Sequence, residues 1–384
     1  MRCVNIIFLL AMSFGMYACG GSKNSSDEMK NVTFTIESPD LDANKEVYIS
    51  GSLEELGYWS PNQVKLSYVG GHKWSIDLML PEDEAVEYKF TLGSWENEGA
   101  DANGLPLPNF YLNSFEDSVA NHSIYFWKDG DIEPQGQITG HVEYMKNVEG
   151  EGILPRDVII WLPEDYDEHQ SKKYPVLYMH DGQNIIDPKT SSFGVDWQVD
   201  ETVTDLISKE ELKSVIVVGV YNTVNRTDEY TPGEKGTAYM EFMAHKLKPM
   251  IDKKFRTLQD RKNTYIGGSS AGGIMAFMLA WEYPDIYSGA ICMSPAFKIE
   301  QIDYVKDVKS FTGEKKPLKL YIDNGGKGLE IKLQPGIDEM MSALAGKGYV
   351  IGDDLMYVID PEAEHFESAW AERMPKALKF VVGK

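Results

Sequence analysis

The stretch "GSSAG", residues 268–272, centres Ser270 in a G-x-S-x-G pattern. Moving the frame to Ser269 puts Ala271 where the second glycine belongs, so the register points to Ser270. "NTYI" before it reads as a strand and "GIMAFMLAWEYP" after it as a helix. In that setting the glycines permit a strained turn that lifts the hydroxyl to the carboxyl edge of a sheet. A serine hydroxyl is a weak nucleophile, so it needs a base, and the base needs an orienting acid.

In a strand–turn–helix nucleophile site the partners follow in the order serine, acid, histidine. His365, in "DPEAEHFESAW" after the last strand candidate "DLMYVID", stands where that order requires. His72, His122 and His141 precede the sheet, His169 lies in a polar loop, His180 comes too early, and His245 sits in a helical pattern. The acid belongs on the loop after the penultimate strand, "LKLYIDNGGKGLE", which offers Asp323 at the strand end and Glu330 past a glycine-rich turn. Geometry must choose between them. An oxyanion site needs two backbone donors. Ala271, next to the nucleophile, supplies one, and Gln183 in the "DGQN" loop after "YPVLYMH" is the natural second. No cofactor or metal is expected: neither "HDGQN" nor the Asp-rich stretches show ligand spacing.

These groups need a scaffold. "RDVIIWLP", "YPVLYMH", "SVIVVGVY", "NTYIGG", "YSGAICMS", "LKLYIDNG" and "DLMYVID" are apolar strand candidates. Helical-period segments such as "TAYMEFMAHKLKPMIDKKF" and "PGIDEMMSALAGKG" stand between the later ones. That alternation predicts a mostly parallel sheet with helices on both faces. Upstream, "VTFTIE", "EVYISG", "KWSIDLML", "VEYKFTLG" and "HSIYFW" alternate apolar and polar residues between turns, the pattern of a small β-sandwich. "KDGDIEPQGQ" reads as a linker.

The predicted organisation is therefore a signal at 1–18, a tether at 19–30, a β-sandwich at 31–128, a linker at 129–139 and a catalytic domain at 140–384. The first eighteen residues carry Arg2 and an apolar stretch too short to span a bilayer as a mature helix. With Cys19 next in line, the segment resembles a bacterial lipoprotein signal. That resemblance implies lipidation of Cys19 and a cell-envelope location, with several acyl chains holding the chain at a membrane. Of the two other cysteines, Cys3 leaves with the signal and Cys292 lies in an apolar run, so no disulfide framework is available. A net charge of −23 argues against nucleic acid as the main partner.

From about Gly140 onward the chain resembles the esterase branch of α/β hydrolases that includes esterase D and the feruloyl and acetyl xylan esterases of carbohydrate esterase family one. Enterobactin esterases belong to the same branch. The residues that carry the resemblance are "LPEDYD", "YPVLYMHDGQNIID", "RTDEYTP", "GGSSAGG", "YIDNGGKGLE" and "EHFESAW". It implies a Ser270–acid–His365 triad and ester substrates, and it favours Glu330 because the family's acid follows the glycine turn. "VYISGSLEELGYWSP", "KWSIDLMLP" and "VEYKFTLGSWE" resemble starch-binding-type carbohydrate-binding modules. In such modules flat aromatic faces stack on sugar rings, which makes Trp59, Trp74 and Trp95 candidates. The two resemblances imply an esterase acting on acylated polysaccharide or oligosaccharide. The alternatives are a siderophore esterase and an inactive glycan-binding lipoprotein.

Overall fold

The computed structural model describes residues 29–383 apart from 83–84, 101–105, 108, 114–117, 129–135, 193 and 300. The expectations for the signal and Cys19 lie outside the described residues.

The N-terminal part is a sandwich of two four-stranded sheets. One runs Ser67–Gly70, Lys73–Pro81, Met29–Glu37, Val119–Ser123; the other runs Val64–Lys65, Tyr48–Gly51, Ala85–Thr91, Phe110–Asn113. In Met29–Glu37 the period-two pattern sends Val32, Phe34 and Ile36 into the core. Tyr88 meets Phe34 edge-on at 4.9 Å. Trp74 pairs across the ladder with Ile36 and is 1% exposed, its Nε1 donating to the Lys45 carbonyl at 3.1 Å. The expectation that Trp74 presents a sugar-stacking face is therefore corrected. Its register puts it on the inner face, where it fills the core.

The C-terminal part is built on one eight-stranded sheet. We number its strands β1 (His141–Gly150), β2 (Ile153–Leu162), β3 (Val176–His180), β4 (Ile216–Val220), β5 (Thr264–Ser269), β6 (Gly289–Met293), β7 (Lys319–Gly325) and β8 (Leu355–Asp360). Their spatial order is β1-β2-β4-β3-β5-β6-β7-β8. The two pairings made by β2 are antiparallel, and every later pairing is parallel. Every residue of β3, β4 and β6 is buried, as strands covered on both faces must be.

Alternate side chains of the sheet go to opposite cores. Ile159, Trp161, Leu177, Met179 and Val217 pack against helices α1 (Val199–Ser208) and α6 (Glu367–Val381). Val158, Ile160, Tyr178 and Val218 pack on the other face, under α2 (Glu234–Glu241), α3 (Lys248–Lys254), α4 (Ala271–Glu282) and α5 (Leu329–Gly346). The helices α2 and α3 are joined by a π-helical turn, Phe242–Leu247.

Two elements differ from the sequence reading. β1 is an added edge strand; most of its side chains are at least partly exposed and only Val148 is fully buried, so it has no apolar run to announce it. α5 begins six residues before the "PGIDEMMSALAGKG" pattern and keeps Pro335 inside it. A proline there removes one helical hydrogen bond, which is why the sequence alone places the start at Pro335.

Candidate active site

β5 ends at Ser269, and the chain reverses at once into α4. Ser270 sits between them at φ 56°, ψ −123°, a conformation that costs a non-glycine residue about 1–3 kcal/mol. Its surroundings fix it there. The Ser270 N–H donates to the Met293 carbonyl of β6 at 2.9 Å, and its own carbonyl accepts from Gly273 and Ile274. The flanking glycines are required by crowding: a Cβ on Gly268 would lie 2.5 Å from the Gly272 carbonyl oxygen. The half-buried Ser270 thus stands at the carboxyl edge of the sheet, and the N–H of Ala271 lies in the first turn of α4, where it has no intrahelical acceptor.

The two candidate acids are far from equivalent. Glu330 lies in the first turn of α5 and is completely buried. Its Oε2 is 3.2 Å from His365 Nδ1, off the line of an ideal hydrogen bond, and its Oε1 accepts from Ser294 Oγ at 2.6 Å. Asp323, inside β7, is turned to other partners. It takes Arg373 Nε at 2.9 Å, Tyr321 Oη at 2.9 Å and the Ser294 N–H at 3.0 Å. Arg373 Nη2 also donates to Ser294 Oγ at 3.1 Å, as does Trp370 Nε1 at 3.1 Å. Ser294, at φ 42°, is therefore the hinge of a buried network that joins β6, β7, α5 and α6 behind Glu330.

The loops carrying acid and histidine are tied backbone to backbone. Gly326 and Lys327 N–H groups both donate to the Ala363 carbonyl at 3.1 Å. Only glycine permits this approach, because a Cβ on Gly325 would stand 2.4 Å from that same oxygen. The His365 side chain keeps 15% of its surface and meets Trp370 edge-on at 5.0 Å.

Gln183 occupies the 3₁₀ turn Gly182–Asn184 that follows β3. Its carbonyl accepts from Thr190 Oγ1 at 2.7 Å and its side-chain oxygen from the Asn222 N–H at 3.2 Å. The turn starts at Asp181, whose carboxylate receives Arg226 through Nε at 2.8 Å and Nη2 at 2.7 Å and Asn222 Nδ2 at 2.6 Å. Burial alone would raise this carboxyl, but the guanidinium and amide outweigh it and hold it below its usual range. A Cβ on Gly272 would meet that carboxylate at 3.2 Å, so Asp181 also braces the start of α4. His180 is buried and desolvation lowers it to about 3, which keeps it neutral beside Tyr239 Oη at 2.9 Å. Ser294, Arg373 and Asp181 were not singled out from the sequence. "RTDEYTP", which holds Arg226, was the available signal for the last of these contacts.

Trp59 and Trp95 lie together on the sandwich, both partly exposed, with ring centroids 6.4 Å apart at 42°. A separate cavity of about 500 Å³ opens between the sandwich and the His365 loop. Pro106 and Leu107 form its wall on one side, and Ala363, Glu364 and Phe366 on the other. Ser270 and His365 do not line it. On the same side, Lys332 of α5 sits over the Tyr111 ring of the sandwich at 5.2 Å.

The strand order, with a strained serine turn after β5 and a carboxylate–histidine pair after β7 and β8, is that of an α/β hydrolase. Residues 154–379 match the family model described as "Putative esterase", and the chain belongs to that family. Residues 29–102 match the starch binding domain model. The "Uncharacterized protein YjcH" of Bacillus subtilis is 29% identical over 182 residues, 47% of this chain and 70% of that protein. Among solved structures, a ferulic acid esterase superposes with a TM-score of 0.53 at 21% identity, covering 63% of this chain and 98% of its own. The enterobactin esterase of Shigella flexneri superposes with a TM-score of 0.54 at 14% identity, covering 93% of this chain and 95% of its own. The protein is an ester-hydrolysing enzyme with an N-terminal β-rich, carbohydrate-binding-module-like region.

Proposed function

We propose that this esterase works through an acyl-serine on Ser270 and removes acyl groups, feruloyl or acetyl, from polysaccharide or oligosaccharide. The observation that carries the mechanism is the buried Glu330 carboxylate set 3.2 Å from His365 Nδ1, one strand pair away from a strained serine. His365 takes the Ser270 proton through its far nitrogen as the hydroxyl attacks the ester carbonyl. Glu330 holds the ring in the required tautomer and stabilises the imidazolium that forms. The N–H groups of Ala271 and Gln183 receive the oxyanion, each donor of this kind contributing about 2.7–4 kcal/mol to the transition state. The alcohol leaves with the proton from His365. Water, deprotonated by the same histidine, then hydrolyses the acyl-serine.

The starch binding domain match and the partly exposed Trp59–Trp95 pair support a carbohydrate carrier for the ester. Lipidation at Cys19 would hold the enzyme in the cell envelope, where such substrates are met. A panel of feruloyl and acetyl oligosaccharides and a catecholate lactone tests the substrate class. The sugar esters should be turned over, and Trp59→Ala should raise KM on long chains while leaving small aryl esters unaffected. Turnover of the catecholate lactone alone would contradict the carbohydrate reading.

A further inference from the structure

The start of α1 gathers negative charge that ester hydrolysis does not use. One oxygen from each of Asp196, Asp200 and Glu201 lies within 4.8 Å of the other two. Asp200 is completely buried, Asp196 nearly so, and Glu201 half-buried. Each carboxylate has a partner on one oxygen. Asp200 Oδ2 accepts from the Thr139 N–H at 2.6 Å, Glu201 Oε1 from Gln137 Nε2 at 2.9 Å, and Asp196 Oδ2 from the Gln198 N–H at 2.9 Å. The other oxygens of Asp200 and Glu201, Oδ1 and Oε2, are buried and meet no donor from the rest of the described residues, the two carboxyl groups lying within hydrogen-bond reach of each other. Asp187 stands close enough to add to the repulsion.

Buried carboxylate oxygens without donors call for a counter-charge. The N-terminal dipole of α1 supplies about half a positive charge, too little for three carboxylates. No Lys or Arg among the described residues pairs with any of the three. Hard oxygen ligands suit calcium, which takes them at about 2.3–2.6 Å and so holds opposite oxygens no more than roughly 5 Å apart. The observed spacing meets that limit. Calcium also accepts irregular sets completed by water, whereas magnesium demands a near-ideal octahedron.

We propose that Asp196, Asp200 and Glu201 bind one Ca²⁺ ion, each through one carboxylate oxygen. Asp200 and Glu201 would then hold the segment entering β1 with one oxygen and the ion with the other, while Asp196 caps the Gln198 N–H. The site is separate from Ser270 and fastens the junction between sandwich and catalytic sheet.

Terbium replaces calcium at oxygen sites and emits when a nearby tryptophan is excited; Trp197 follows Asp196 in the chain. Chelator-treated full-length protein should show saturable, tryptophan-sensitised Tb³⁺ emission displaced by CaCl₂, with a calcium Kd of about 10⁻⁴–10⁻³ M. Tm should rise by roughly 2–5 °C in 10 mM CaCl₂ and much less in MgCl₂. Asp200→Asn and Glu201→Gln each keep an acceptor for Thr139 or Gln137. Each should weaken calcium binding at least about tenfold, and if one fails to fold the other decides. The rival occupant is a proton shared by Asp200 and Glu201. Absence of both saturable emission and a calcium-dependent Tm shift, with Asp200→Asn raising Tm without metal, would assign the proton and overturn the proposal.

Discussion

At the carboxyl edge of β7, Glu330 and Asp323 are fully buried with Arg373, Ser294 and Trp370 around them, whereas at the start of α1 three carboxylates gather with no basic partner among the described residues. The first cluster finds its counter-charge within the chain. Its guanidinium supplies the counter-charge, and the Ser294 hydroxyl hands one hydrogen bond to Glu330 while accepting two. In the second cluster only the oxygens that take the N–H groups of Gln137, Thr139 and Gln198 have donors among the described residues. Buried negative charge here serves two ends: one network has a guanidinium at hand and sets a single oxygen 3.2 Å from His365, and the other has no cation among the described residues.

The two carboxylates at β7 should part most visibly in activity. Glu330→Gln should lower kcat on a short aryl ester roughly 10³–10⁴-fold with little change in the unfolding midpoint, because it removes the charge behind His365 but keeps the shape. Asp323→Asn should do the reverse. It leaves Arg373 buried with too little compensation, so urea unfolding should report a loss of about 3–5 kcal/mol while kcat per folded molecule falls far less. An exchange of these two phenotypes would make Asp323 the triad acid. Ser294→Ala comes next in size. Loss of a hydrogen bond to a charged group, worth about 1.5–3 kcal/mol, should lower kcat roughly ten- to a hundredfold at constant KM.

The last effect is a pH dependence. Glu367, just past His365, is 3% exposed and burial pushes its carboxyl up to about 8, with Asp181 adding to the rise and Arg226 and Lys89 opposing it. The folded chain keeps a proton here that the unfolded chain has released above its ordinary range near 4.5. The stability from this group is therefore whole below about pH 4.5 and lost as pH rises through about 8, at a slope of at most about 1.4 kcal/mol per unit. Denaturant unfolding across pH 5–8 should show this fall in the wild type and a flatter profile in Glu367→Gln. Equal profiles would mean that Glu367 ionises normally.

Much of this architecture is legible in the sequence because parallel strands covered on both faces must be apolar throughout, as "YPVLYMH" and "SVIVVGVY" are. β1 is not legible, since an edge strand with mostly exposed side chains carries no such run. The position of Ser270 follows from glycines that only a crowded turn requires. The acid is not legible, because Asp323 and Glu330 differ in partners rather than in local pattern. What separates them is Arg373, fifty residues beyond Asp323 on α6, and Ser294, left-handed after β6. Long-range pairings of that kind leave no spacing to read. Trp74 shows the same limit at smaller scale: its aromatic face is visible in sequence, but the side of the sheet it takes depends on its register with Ile36. The carboxylates of α1 look like ordinary acids at a helix start, and only the fold brings Gln137 and Thr139 onto one side of them.

The proposed covalent acyl-serine on Ser270 is tested most directly by trapping. Intact mass spectrometry after brief acid quenching of a reaction with a slowly deacylating feruloyl aryl ester, followed by peptide mapping, reads the adduct itself. One feruloyl group on the peptide containing "GGSSAGG", retained in Ser269→Ala and absent in Ser270→Ala, is the expected result. An adduct that survives in Ser270→Ala, or turnover in that variant at the wild-type rate, would contradict it.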